Sequence, residues 1–199
     1  MRVTPWLVAA FLIFCLWRLY SQRDIAHAPG VLAPDDPVQV DLDGVAPIPR
    51  GEFSLRPRAE FHATVRVLHR ENYTFGDLAR LVPTDFAVGW GPMSDSAVLA
   101  DIDISQANRF YFWSTRDWPI ERDAIETHSA NWHVIPENER VRSVLDRLRA
   151  GSVVTLEGRL VDIEGKEARM ATSLTRSDTG AGACEILLAT SARIVQVKQ

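Results

Sequence analysis

Residues 173–185 read SLTRSDTGAGACE, and no other stretch of the chain gathers so many groups able to do chemistry. Gly180 and Gly182 let backbone amides approach a ligand closely, Arg176 can pair with a carboxylate or phosphate, and Asp178 and Thr179 add short polar side chains. These five residues form the candidate ligand-binding set. The same residues also make a long turn, in which Asp178 and Thr179 hydrogen-bond the backbone and the glycines supply positive torsions, and the turn is the commoner use.

Cys184 closes that loop, and a thiol becomes a nucleophile only when a base can take its proton. The candidate bases are His128 and His133 in ETHSANWHVIP, with Asn131 or Asp178 to orient the imidazole. The alternative places Cys184 at the start of a strand, turned inward with Ile186 and Leu188 as a small hydrophobe. Five-residue spacing sets the two histidines on neither one helical face nor one strand face, so metal-ligand spacing is not met. No metal site and no cofactor is expected. A second cluster is aromatic: Trp90, between Gly89 and Gly91, with Phe110, Tyr111, Phe112, Trp113 and Trp118. Aromatic side chains serve either as core or as the wall of a pocket.

The chain that must position these groups has 199 residues, 46% of them hydrophobic and 24% charged, which suits one globular domain plus an appendage. The net charge of −4 excludes affinity won by neutralising phosphates, so nucleic acid is not an expected partner. No strong catalytic motif appears, and a binding role is favoured over an enzyme.

The run WLVAAFLIFCLW, Trp6 to Trp17, is shorter than the roughly 20 apolar residues of an ordinary spanning helix and suits a signal segment or a short anchor. Ala26-His27-Ala28 is the only small-x-small pattern downstream, and Pro29 after it is a poor fit to a cleavage site, so the segment is expected to be retained. Arg18 can reach the headgroups, and Trp6, Trp17 and Tyr20 suit the interface, giving a membrane contact through residues 6–20. Only five residues precede the run, which favours export of the long carboxyl-terminal portion. The expected location is the bacterial inner membrane, single-pass, with the carboxyl-terminal domain periplasmic. Removing Arg2 and Arg18 leaves 20 basic against 26 acidic residues, a net charge of −6 for residues 21–199. Only Cys184 lies outside the apolar run, so no intramolecular disulfide forms in that part.

The chain divides into three parts: residues 1–22 as membrane anchor or signal segment, 23–59 as a proline-rich acidic linker, and 60–199 as a β-rich globular domain. Between Ala28 and Arg58 six prolines forbid a helix and predict a stretched stalk, with a short strand at Val38–Leu42. In the domain Phe61, Ala63, Val65 and Val67 share one face of a strand. Further strands are expected at 86–90, 109–113, 153–163, 168–174 and 185–197, the last bent at Thr190-Ser191. The clearest helix runs from Glu137 to Arg149, with Val141, Val144, Leu145 and Leu148 on one face, Pro136 in its first turn and Gly151 beyond its end. Short helices are expected at 75–81 and 96–102.

Strands, a helix, a glycine and then the long strand SVVTLEGRLVDIEG resemble the helix-to-fourth-strand passage of an OB-type barrel. The expected fold class is therefore mainly β with α (α+β), a small OB-like or Greek-key barrel with one clear helix. FHATVRVLHREN, GWGPMSD, DISQANRFYFW, ETHSANWHVIP and SLTRSDTGAGACE together resemble an uncharacterised family of proteobacterial membrane-anchored proteins. That resemblance implies a membrane anchor and an exported domain, and brings no activity with it. The expected function is a membrane-anchored extracytoplasmic binding or accessory module of the envelope, with an envelope protein or a small ligand as partner. The alternative is a cysteine-dependent hydrolase or transferase using Cys184 with His128 or His133.

Overall fold

The computed structural model describes residues 6, 8–13, 23–166 and 168–197. Its strands are β1 (Val38–Asp41), β2 (Ile48–Arg50), β3 (Phe53–Asn72), β4 (Thr84–Gly89), β5 (Ile102–Ala107), β6 (Phe110–Thr115), β7 (Ser129–Pro136), β8 (Val153–Glu164), β9 (Arg169–Met170) and β10 (Glu185–Val195). Its helices are α1 (Asp77–Leu81), α2 (Ser96–Leu99), α3 (Arg122–Thr127) and α4 (Glu139–Leu145). The protein is mainly β with few, short helices, as the alternating patterns predict.

β3 organises the sheet. Twenty residues of extended chain would span about 65 Å, so β3 must bend to stay within one domain. It does so at two register irregularities, Pro57/Ala59 against β8 and Val67/His69 against β4. With antiparallel neighbours on both edges, β3 starts a chain of pairings that returns to itself: β4 to β7, β7 parallel to β10, β10 to β8, and β8 back to β3.

The inner face of this closed sheet is the main core. Phe61, Ala63, Val65 and Val67 of β3 meet Trp132 and Val134 of β7, Leu156 and Leu160 of β8, and Leu187 of β10. Burying each large side chain removes it from water for roughly 1.5–3 kcal/mol. Phe61 and Trp132 pack edge to face, 5.4 Å between centroids. Gly158 has no alternative, because a Cβ there would collide with the Leu188 carbonyl oxygen of β10.

A second cluster covers part of the outer face, where Ile135, Ile186, Leu188 and Ile163 receive Val82 and α1. A third lies in the long insertion between β4 and β7, where Met93, Ile102 and Ile125 join α2, the β5–β6 hairpin and α3.

α4 is shorter than its periodicity predicts, because the competing local signals win. Pro136 is the last residue of β7, and Asn138 is the cap, its Oδ1 accepting from Val141 N at 3.1 Å. After Leu145 the chain tightens, Arg147 N bonding Val144 O and Leu148 N bonding Leu145 O, and ends at Gly151 with φ +87°. Three other elements differ from expectation. β7 falls where the histidine spacing obscured a strand, Ile102 starts β5 instead of ending a helix, and β9 is confined to Arg169–Met170. β10 is irregular between Ala189 and Ser191, where a bend was expected.

Residues 23–59 are extended, as their prolines require, but they lie along the sheet instead of standing away from it. Ile25 N donates to Ala150 O, Ala33 N to Ser94 Oγ, and β1 and β2 both pair with β3, which begins at Phe53. Among the described residues no helix is long and apolar enough to cross a membrane. Of the expected membrane contact at 6–20, Trp6 and residues 8–13 are helical and the rest lies outside the described residues.

Candidate ligand-binding site

The parallel strands β7 and β10 begin at the same rim of the closed sheet, with Glu185 opposite Trp132. Alternation then divides the polar groups at this rim. Glu185 falls in step with inward-facing Leu187 and Ala189, whereas Cys184 falls in step with Ile186 and Leu188 on the outer face.

A cavity of about 270 Å³ opens at this rim. Trp90, Tyr111, Phe112 and Trp113 form one wall, and Arg176, Asp178, Thr179 and Gly180 form the other. Cys184, Glu185 and Asn131 also line it. Two regions that the sequence offered separately, the hydroxyl- and glycine-rich loop and the aromatic run, thus face each other. Gly182 and Trp118 are not in the lining.

The loop is held at a neck. Ser173 N donates to Cys184 O at 2.9 Å, and Ile186 N donates to Thr172 Oγ1 at 3.0 Å. Inside it, Ser173 Oγ donates to Asp178 Oδ2 at 2.7 Å. Gly180 and Gly182 have φ of +83° and +92°, as the turn reading requires, and side chains there would meet open space.

Arg176 is tied down from two sides. It contacts Glu185 Oε1 and donates through Nη2 to Gln39 Oε1 of β1 at 2.8 Å, with its guanidinium 5.5 Å from the Phe61 ring centre. The segment before the domain therefore helps to build the site, and Asp36 likewise accepts from Trp90 Nε1 at 3.0 Å.

Glu185 is 1% exposed, and its Oε2 is buried without a hydrogen-bond partner. Burial pushes its carboxyl up to about 7, the Arg176 charge opposing that and Asp178 adding to it. Sequence reasoning passed over this residue, although a carboxylate in step with Leu187 and Ala189 was a signal of buried charge.

Behind the cavity, on the outer face, lies a second polar cluster. Asp85 Oδ1 accepts from Arg109 Nη1 at 2.9 Å and faces His133 Nδ1 at the same distance, although the ring N–H is not aimed along that line. Burial works against the imidazolium of His133. The nearby carboxylate of Asp85, with Cys184 beside the ring, more than offsets it, and the pKa is pushed up to about 9. Asn131 Nδ2 donates to Arg109 O at 3.0 Å and to Cys184 Sγ at 3.6 Å. Its Oδ1 accepts from Gln106, which is bonded in turn to His69.

Cys184 is half-buried, in the cavity and beside His133. His128 is engaged elsewhere. Its Nδ1 donates to Ala124 O at 2.9 Å, and its ring packs over Gly91. Asp85 and Arg109 were not legible as site-forming residues, because their meeting depends on where the β5–β6 turn lands.

No family model matches the chain, and neither a curated protein nor a solved structure matches it.

Proposed function

We propose that the protein is a membrane-tethered binding module whose rim cavity takes a small ligand. The observation that carries this reading is the convergence of the β6 aromatics and the polar loop on one cavity. A site of this kind binds by laying the flat apolar part of a ligand against an aromatic ring such as Phe112 and orienting its polar end at Arg176 and Asp178.

The closed sheet is read as an OB-type barrel. Its five pairings follow the order first, second, third, fifth, fourth and back to first, with the third and fifth strands parallel and α4 between the third and fourth. In such barrels the loop between the fourth and fifth strands contributes to binding, and here that loop carries Arg176 to Gly180. The bacterial inner membrane and the periplasmic side are part of the same proposal, supported by the apolar run from Trp6 to Trp17 and its interfacial aromatics.

The cysteine-dependent reading has one observation in its favour, the approach of Cys184 to His133 with Asp85 behind it. What favours binding over catalysis is that His133 Nδ1 faces Asp85 Oδ1 at 2.9 Å, and the hydrogen bond at Cys184 Sγ comes from Asn131 Nδ2, an amide that cannot take a proton from the thiol.

The test is maleimide labelling of Cys184 in a full-length Cys15→Ala variant. The impermeant reagent is expected to label the native protein in intact cells, and the small-molecule fraction of a bacterial extract is expected to slow labelling of the purified chain. Labelling that needs lysis would reverse the topology, and labelling that needs unfolding, or that no extract slows, would remove the binding reading.

A further inference from the structure

We infer that residues 25–41 form a releasable strap that couples the amino-terminal segment to the rim cavity, whose two sides are held in place only while the strap lies on the barrel.

The strap is held on different terms from the barrel under it. Among residues 25–41 only Ala33 is buried, and Val31, Val38 and Val40 stay exposed. Its hold is a line of hydrogen bonds. Ile25 N donates to Ala150 O at 2.8 Å and His27 Nε2 to Gly151 O at 2.7 Å. Gly30 N donates to Asp95 Oδ1 at 2.8 Å, Leu32 N and Ala33 N both donate to Ser94 Oγ, and Ala33 O accepts from Gly91 N at 2.7 Å. β1 then adds its four residues to β3. On release such bonds are exchanged for bonds to water, whereas opening the barrel exposes its apolar clusters. The strap therefore opens in a step that leaves the barrel folded.

The body is shaped to receive it. A Cβ at Gly151 would collide with Ile25 O, and the Oγ of buried Ser94 is the shared acceptor of two strap amides.

Two strap side chains reach the cavity, one for each side. Asp36 Oδ1 accepts from Trp90 Nε1 at 3.0 Å, the one hydrogen bond of that indole. Gln39 clasps the opposite loop, its Oε1 accepting from Arg176 Nη2 at 2.8 Å and its Nε2 donating to Leu174 O at 3.2 Å. Among the described residues no other hydrogen bond reaches residues 174–183 from outside the 172–186 hairpin. Trp90 and Arg176 both line the cavity, so releasing the strap loosens both sides together.

The strap also has a handle. It begins eight residues after Trp17, where the apolar run ends, and that length of chain spans at most about 28 Å. A displacement of the amino-terminal segment therefore reaches Ile25 and His27 first. Because the contacts lie in series along the strap, release at that end passes on to Asp36 and Gln39. By linkage, a ligand that needs Trp90 and the loop in place favours the docked strap.

The experiment uses the full-length Cys15→Ala chain without ligand and reads amide exchange, the Trp90 indole N–H signal and the rate of maleimide labelling at Cys184. The amides of Ile25, Leu32 and Ala33 are expected to exchange at least about a hundred-fold faster than that of Leu156, whose strand is paired on both edges. Ala33→Asp puts a charge where the strap is buried. It is expected to release these amides, shift the indole signal and raise the labelling rate about five-fold, with Leu156 still protected. Ser94→Ala, which removes the shared acceptor without adding a charge, is expected to act in the same direction about two-fold and decides the matter if Ala33→Asp does not fold. Gln39→Ala is expected to raise labelling about three-fold with exchange at Ile25 and Ala33 unchanged. Strap amides that exchange no faster than Leu156 overturn the inference, and so does strap release that leaves the indole signal and the labelling rate unchanged. No readout uses a ligand, so either failure leaves the binding reading to be decided by extract protection of Cys184.

Discussion

Two polar clusters lie back to back across β7 and β10, and they are built on opposite terms. On the outer face Asp85, Arg109, His133, Asn131 and Gln106 close on one another and on backbone carbonyls, leaving Asp85 Oδ2 without a partner. At the rim Glu185 Oε2 is likewise unpartnered, but there Glu185, Arg176 and Asp178 line a cavity. The difference separates scaffold from site. The outer cluster holds the β5–β6 turn, where Asn108 and Arg109 adopt φ of +53° and +69°. Such torsions cost roughly 1–2 kcal/mol for a residue with a Cβ, and Arg109 offsets that with bonds to Asp85 and Val82 O and by stacking 3.8 Å from the Tyr73 ring centre. Pinning this turn sets β6, and β6 carries the aromatic wall of the cavity.

The sharpest break of this comparison is to remove the centre of each cluster. Asp85→Ala strands a buried imidazolium and a guanidinium and is expected to cost about 3–5 kcal/mol in urea unfolding. Glu185→Gln, measured near pH 4.5 where the buried carboxyl of Glu185 is protonated and both side chains are neutral, is expected to shift stability by less than about 1 kcal/mol. Equal losses would mean that the rim cluster is also scaffold.

Acidity sharpens the contrast next. Both raised pKa values make the folded state hold protons that the unfolded chain has released, so each contribution is complete below the unfolded pKa and lost as pH rises through the folded one. Glu185 predicts a fall in stability between about pH 4.5 and 7, and His133 a fall between about 6.5 and 9. Thermal unfolding across this range should show both limbs. Glu185→Gln is expected to flatten only the lower limb and Asp85→Asn only the upper. If one variant flattens both, the two clusters titrate as a unit.

A smaller effect is expected at the turn itself. Arg109→Gly relieves the left-handed torsion but deletes the guanidinium contacts, a net loss of about 1–2 kcal/mol. It should also shift the amide signals of the cavity residues Tyr111 and Phe112 through displacement of β6. Unchanged signals there would show that the wall does not depend on the turn. The smallest change lies away from both clusters, at the cap of α4. Asn138→Ala is expected to cost about 1 kcal/mol in urea unfolding with no effect at the rim.

The alternating pattern of Phe61, Ala63, Val65 and Val67 shows an inward face because strand periodicity is local, and the β-rich class was legible for that reason. The same holds for α4, whose apolar spacing was visible even though Pro136 and Asn138 moved its start. The loop at 173–184 announced itself by its residue types. Its partner wall was only a set of aromatics with two uses, and nothing in the spacing of Phe110 and Arg176 brings them together.

What the sequence determined by itself is therefore what depends on neighbours in the chain: the strand alternation, the extended 23–59 segment, the turn-forming glycines and the absence of a disulfide in the described part. Tertiary structure decided the rest. The register of β7 against β10 turned Glu185 inward and Cys184 outward, and the landing of the β5–β6 turn on Asp85 brought the aromatic wall over the loop. The segment expected to stand free instead lent Asp36 and Gln39 to the site. These are contacts between residues up to 137 positions apart. Their geometry comes from closing a bent sheet on itself, and no local pattern encodes which side chains that closure brings face to face.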